Sequence, residues 1–244
     1  MTHRLFSSQR KTTEPIDSLV ELWMLRVLVP LDGQSKFINL PGFSSEACSI
    51  GFPLQNVLDT EFCDEKLVEG AKKQALLEFK NLYLSAEYNA HHAVLPPILS
   101  ENVARLARKV GLSPTDCQIL EFSILVKTDR RLGIAVCWLQ EISTPEVFHA
   151  LSIILNVPEK DIRVSLSEHS ILLRLGLVTV ISSENKLLKL PNMLEMHYSF
   201  PFQMINSNPD LNKMLEEIAT VDYSMSIEQL NYLNIDASML SLSG

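Results

Sequence analysis

The chain has 244 residues, 46% apolar and 20% charged, with 8 glycines and a net charge of −8. That length and apolar content suit one large domain or two small ones, and they exclude a disordered chain or a glycine-rich fibre. The charge is uneven, with −3 over residues 1–96, +1 over 97–142, none over 143–191 and −6 over 192–244. A chain with no basic block is poorly equipped to neutralise phosphates, so nucleic acid is disfavoured as a partner.

Residues 1–15 are polar and end in Pro15, which reads as a disordered lead-in without the apolar stretch of a secretory leader. Asp17 caps a helix running to about residue 29. Leu19, Val20, Leu22, Trp23, Leu25, Val27 and Leu28 leave it little polar face, as in a helix buried on several sides. Glu21, Arg26 and Pro30 interrupt it, and it falls short of the roughly 20 residues a bilayer requires. No membrane partner is expected. Pro30 and the Asp32-Gly33 turn end the helix. Residues 36–40 read as a short strand or extended loop, and Ser44 opens a possible short helix.

Asp64 starts the next helix. In it Val68, Ala71, Ala75, Phe79 and Leu82 share one face, while Lys66, Lys73 and Lys80 lie elsewhere on the wheel. Residues 89–97, with His91-His92 and Pro96-Pro97, read as a linker. Residues 16–96 thus form a helical N-terminal subdomain.

Residues 97–200 form a second helical subdomain, winged-helix-like, with one short β-hairpin. Ser100 caps a helix over Val103, Leu106 and Val110, closed by Gly111 in the left-handed conformation. Ser113-Pro114-Thr115-Asp116 and Ser143-Thr144-Pro145-Glu146 are two further helix starts, each with a hydroxyl cap, an early proline and an acid three residues on. Another short helix covers residues 132–139. The core of this part is expected at Leu120, Phe148, Leu151, Leu155 and Leu172. Short helices over Ile162 and Leu172 precede two strands, 177–181 and 186–190, joined by a polar turn. A helix at 192–198 follows. Residues 201–244 read as an acidic linker with a helix from Asp210.

Catalytic constellations are missing from the sequence. None of the glycines sits in a phosphate-binding loop, and no G-x-S-x-G, H-E-x-x-H or G-x-G-x-x-G occurs. His91 and His92 cannot chelate from one helix face, because neighbours point about 100° apart. Cys48, Cys63, Cys117 and Cys137 are scattered, as reduced thiols of a cytoplasmic protein would be. The chain is therefore expected to be no enzyme and to hold no metal or cofactor. If the winged-helix part met DNA, Arg163, Arg174, Lys186 and Lys189 would be its basic contacts, but the module is neutral overall.

Several stretches carry a family resemblance. Residues 22–33 (LWMLRVLVPLDG), 101–106 (ENVARL) leading to Gly111-Leu112-Ser113, 116–122 (DCQILEF), 147–152 (VFHALS), and Leu166-Ser167 with Gly176-Leu177-Val178 are similar to the region preceding the ATPase module of large bacterial AAA+ ATPases. The resemblance spans about residues 20–240 in the same order. It implies a non-catalytic regulatory region that binds a protein partner or substrate and packs on its own ATPase module. No Walker A loop occurs before Gly244. ATP and Mg would accordingly belong to an ATPase module outside these residues. The alternative is a stand-alone winged-helix transcription regulator that binds DNA.

Overall fold

The computed structural model describes residues 17–38, 65–139, 141–181 and 188–221. The expected lead-in, the possible helix from Ser44, Cys48, Cys63, Lys186 and the segment after 221 lie outside them. The protein is mainly α-helical. Its elements are α1 (Asp17–Leu28), α2 (Gly33–Ile38), α3 (Glu65–Tyr88), a 3₁₀ turn (Ala90–His92), α4 (Pro97–Val110), α5 (Pro114–Thr128) and α6 (Arg130–Val136). Then come α7 (Thr144–Leu155), α8 (Glu159–Ser165), α9 (Ile171–Arg174), β1 (Thr179–Val180), α10 (Leu190–Met193), β2 (Leu194–Glu195), α11 (Phe200–Met204) and α12 (Leu211–Val221).

The helix starts follow from their caps. At Ser113 the hydroxyl accepts from the Asp116 amide at 3.1 Å, and the Asp116 carboxylate accepts from the Ser113 amide at 2.8 Å. This reciprocal pair satisfies two amide donors that the first turn leaves unpaired. Glu146 does the corresponding work at Ser143, accepting from its amide at 2.6 Å and from its hydroxyl at 2.7 Å. Gly111 ends α4 at φ 80°, a conformation that costs glycine little.

The centre of the fold is α5. Ile119, Leu120, Phe122, Ile124 and Leu125 are all buried, so the helix is enclosed on nearly every side. It packs against α4, α6, α7, α8, α10 and α11. The nearly all-apolar α1 lies against α3, α6 and α7. The Trp23 ring meets the Phe122 ring edge-on, centroids 5.4 Å apart. A buried polar tie crosses this interface. The buried Arg26 guanidinium donates to the two oxygens of Glu87 at 2.7 and 3.0 Å and to the Ile154 carbonyl at 2.8 Å, tying α1 to both α3 and α7.

Several sequence expectations change in the structure. Residues 36–38, the described part of the expected strand or loop at 36–40, belong to helix α2, and Ser100 lies inside α4, which begins at Pro97. Phe148 is only partly buried, with the Arg163 guanidinium over its ring, whereas Leu120, Leu151, Leu155 and Leu172 are buried as expected. The short antiparallel hairpin also has a different partner. Thr179 pairs with Glu195 and Val180 with Leu194, while Leu188 bridges to Ile142, just ahead of α7. The reason lies at Leu190-Pro191. Proline opens the one-turn α10, which reverses the chain and returns residues 194–195 to β1. The helix expected at 192–198 is therefore divided between α10, β2 and a turn.

Candidate functional site

Beside this hairpin the chain from β2 into α11 forms an open groove of about 320 Å³. Its lining is Lys127, Glu195, Met196, His197, Tyr198, Pro201 and Phe202. Two faces of one short segment build it. Phe200 and Met204 point into the core, whereas Tyr198 and Phe202, on the opposite side, are 84% and 46% exposed. The spacing explains this, since residues two apart in a helical turn point in nearly opposite directions and residues four apart share a face. The exposed rings lie 5.9 Å apart between centroids.

The segment is braced from behind. The Asn102 amide, buried in α4, donates to the carbonyls of Met204 and Asn206, both at 2.9 Å, and so holds the end of α11. Ser199 and Gln203 both donate to Oε2 of Glu217 on α12, at 3.4 and 3.2 Å. Nδ1 of His197 shares a hydrogen bond of 3.0 Å with the Ser199 hydroxyl. Lys127, in the last turn of α5, donates to the Pro191 carbonyl at 2.9 Å. The rings are thus presented on a backbone fixed by polar ties and by two buried side chains.

A histidine, a serine and a glutamate in hydrogen-bond sequence invite a catalytic reading, but their order is wrong for it. A nucleophile triad places the imidazole between hydroxyl and carboxylate, so that it can take the hydroxyl proton. Here the hydroxyl lies between imidazole and carboxylate, which makes it a bridge that holds the turn. Among the described residues no group of three or more His, Cys, Asp or Glu side chains is placed to hold a metal ion. Burial pushes the Cys117 thiol up to about 11, so it stays protonated and a poor nucleophile at neutral pH.

Of the basic residues singled out from sequence, the three described ones each sit on or beside a different short element. Arg163, on α8, spends its guanidinium on Glu159 Oε1, at 2.9 Å from Nε and 2.5 Å from Nη2, and its central carbon sits 4.6 Å from the Phe148 ring centroid. The same guanidinium holds the Glu159 carboxyl below its ordinary range. Arg174 ends α9 and is exposed, Lys189 sits half-buried ahead of α10, and Lys186 falls outside the described residues. The sequence reading missed the groove. The available signal was the proline at 201 with aromatic residues at 198, 200 and 202, too many to be absorbed by one short helix.

Comparison with protein-family models, with curated proteins and with solved structures returns no match. Among the described residues no helix is long and apolar enough to cross a membrane.

Proposed function

We propose that this chain is a non-catalytic, protein-binding region that acts in the cytoplasm beside a AAA+ ATPase module, and that the groove at Tyr198 and Phe202 holds its partner or substrate. The observation that carries the reading is the display of two aromatic rings on a rigid, polar-braced turn. Large apolar side chains held out into solvent cost solubility and mark contact sites, and tyrosine is prominent among the residues that dominate binding energy. The ATPase context rests on the sequence resemblance alone. The pairing of Arg163 with Glu159, and the lack of a basic block in the sequence, favour a protein contact over reading of DNA.

A photo-activated cross-linking residue at Tyr198, introduced in the cell that encodes the chain, tests the proposal. The expected result is a discrete adduct with one protein, absent when the same residue replaces the exposed Lys160 on α8. Equal, diffuse labelling from both positions would overturn it.

A further inference from the structure

We infer that the outward face of α3 pairs with the same face of a second copy of this chain, the two helices running parallel as a short coiled coil. Helix α3 turns Ala75 and Phe79 into the core. Its opposite side carries Leu77, Leu84 and Tyr88, which are 52%, 55% and 82% exposed. Steps of seven and four residues align these three on one stripe. With Leu77 and Leu84 at the d positions of a heptad, Gln74, Asn81 and Tyr88 fall at a. Leucine at d with a polar residue at a is a two-stranded pattern, in which a buried asparagine fixes the register at some cost in stability.

The flanking charges decide the partner and the direction. Lys73 and Lys80 occupy g on one side of the stripe, and Glu78 occupies e on the other. In a parallel pair each g residue faces the e residue five places on in the other helix, which sets Lys73 of each copy against Glu78 of the other. An antiparallel pair would bring g against g, lysine against lysine, and like charges so placed repel. An acidic helix from another protein would match the lysines but would set its own acids against Glu78. The stripe from Lys73 to Tyr88 covers little more than two heptads, so the contact belongs to the small, transient class below about 1,200 Å².

Sedimentation velocity on the full chain, from about 5 to about 200 μM, tests the inference in the range expected of weak interfaces. The mass is expected to rise reversibly towards that of a dimer. L77K/L84K should stay monomeric with an unchanged melting temperature, because both leucines are exposed. K73E should weaken association several-fold, and K73E/E78K should restore it by exchanging the two partners. A wild-type monomer throughout the range would overturn the inference, whatever then covers the face. So would association that ignores L77K/L84K, or a charge exchange that fails to rescue K73E.

Discussion

Arg26 and Glu87 are unequal partners: the arginine side chain is 6% exposed and the glutamate 30%, although they form a two-point ion pair. The guanidinium holds the Glu87 carboxyl below its ordinary range. Removing either partner leaves the other in a different predicament. Without Glu87 the guanidinium keeps only the Ile154 carbonyl in a buried interface, whereas without Arg26 the more exposed carboxylate keeps the Tyr83 hydroxyl and water. Glu87→Ala should therefore cost about 3–5 kcal/mol, and Arg26→Met about 1–3 kcal/mol. Urea denaturation of both variants at pH 7 measures the difference, and equal losses would contradict the asymmetry.

Glu121 predicts an unusual dependence of stability on pH. It is buried in α5, and burial alone raises its carboxyl to about 7. A raised carboxyl pKa means that the folded chain binds a proton the unfolded chain releases between about pH 4.5 and 7. The folded state is thus favoured in the acid part of that window and loses stability as pH rises through 7. Glu87, with its lowered pKa, acts the other way, but its contribution fades only below about pH 4.5. Between pH 5 and 8 the wild type should lose about 2–3 kcal/mol relative to Glu121→Gln. Urea midpoints of both proteins that run parallel across this range would show that Glu121 is not held protonated.

Leu151 is fully buried in α7, where that helix meets the rest of the core. Leu151→Ala should cost about 2–5 kcal/mol through lost transfer energy and the cavity left behind. Phe148, one turn away but only partly buried, should cost less on truncation than a buried phenylalanine does. Thermal or denaturant melts of the two variants give the order directly, and a smaller loss at Leu151 would show that the face is misassigned.

How far the fold could be read in advance depended on how local its determinants are. The starts of α5 and α7 rest on residues three apart, Ser113 with Asp116 and Ser143 with Glu146, so the sequence announces them. The left-handed Gly111 is equally local. The partner of β1 is not, since Thr179 pairs sixteen residues away with Glu195 across two short segments that carry no periodicity. The burial of Arg26 depends on Glu87 and Ile154, which are distant in the chain, although an arginine in a helix apolar nearly all round was itself a warning. The groove was hidden for a related reason. Tyr198, Phe200, Phe202 and Met204 are all apolar or aromatic, and only the packing of Phe200 and Met204 decides which two face out.

The lack of a basic block in the sequence predicts weak duplex binding. Arg163 is engaged with Glu159 and Phe148, so Arg163→Ala should shift stability by less than about 1 kcal/mol. Binding to duplex DNA should stay in the non-specific range, with dissociation constants above about 1 μM at physiological salt and no dependence on sequence. Titration of random and selected duplexes at two salt concentrations checks this. A tight, sequence-dependent complex lost in Arg163→Ala would reverse the reading.

The central claim is that Tyr198 and Phe202 form the binding surface. Its most direct test is the affinity of the cross-linked protein, once identified, for the wild-type chain and for Tyr198→Ser/Phe202→Ser, measured by calorimetry alongside melting temperature. Both rings are exposed, so the double variant should melt within about 2 °C of the wild type while binding weakens at least about 30-fold, the loss expected when two aromatic anchors are removed. Unchanged affinity in a folded double variant would contradict the account.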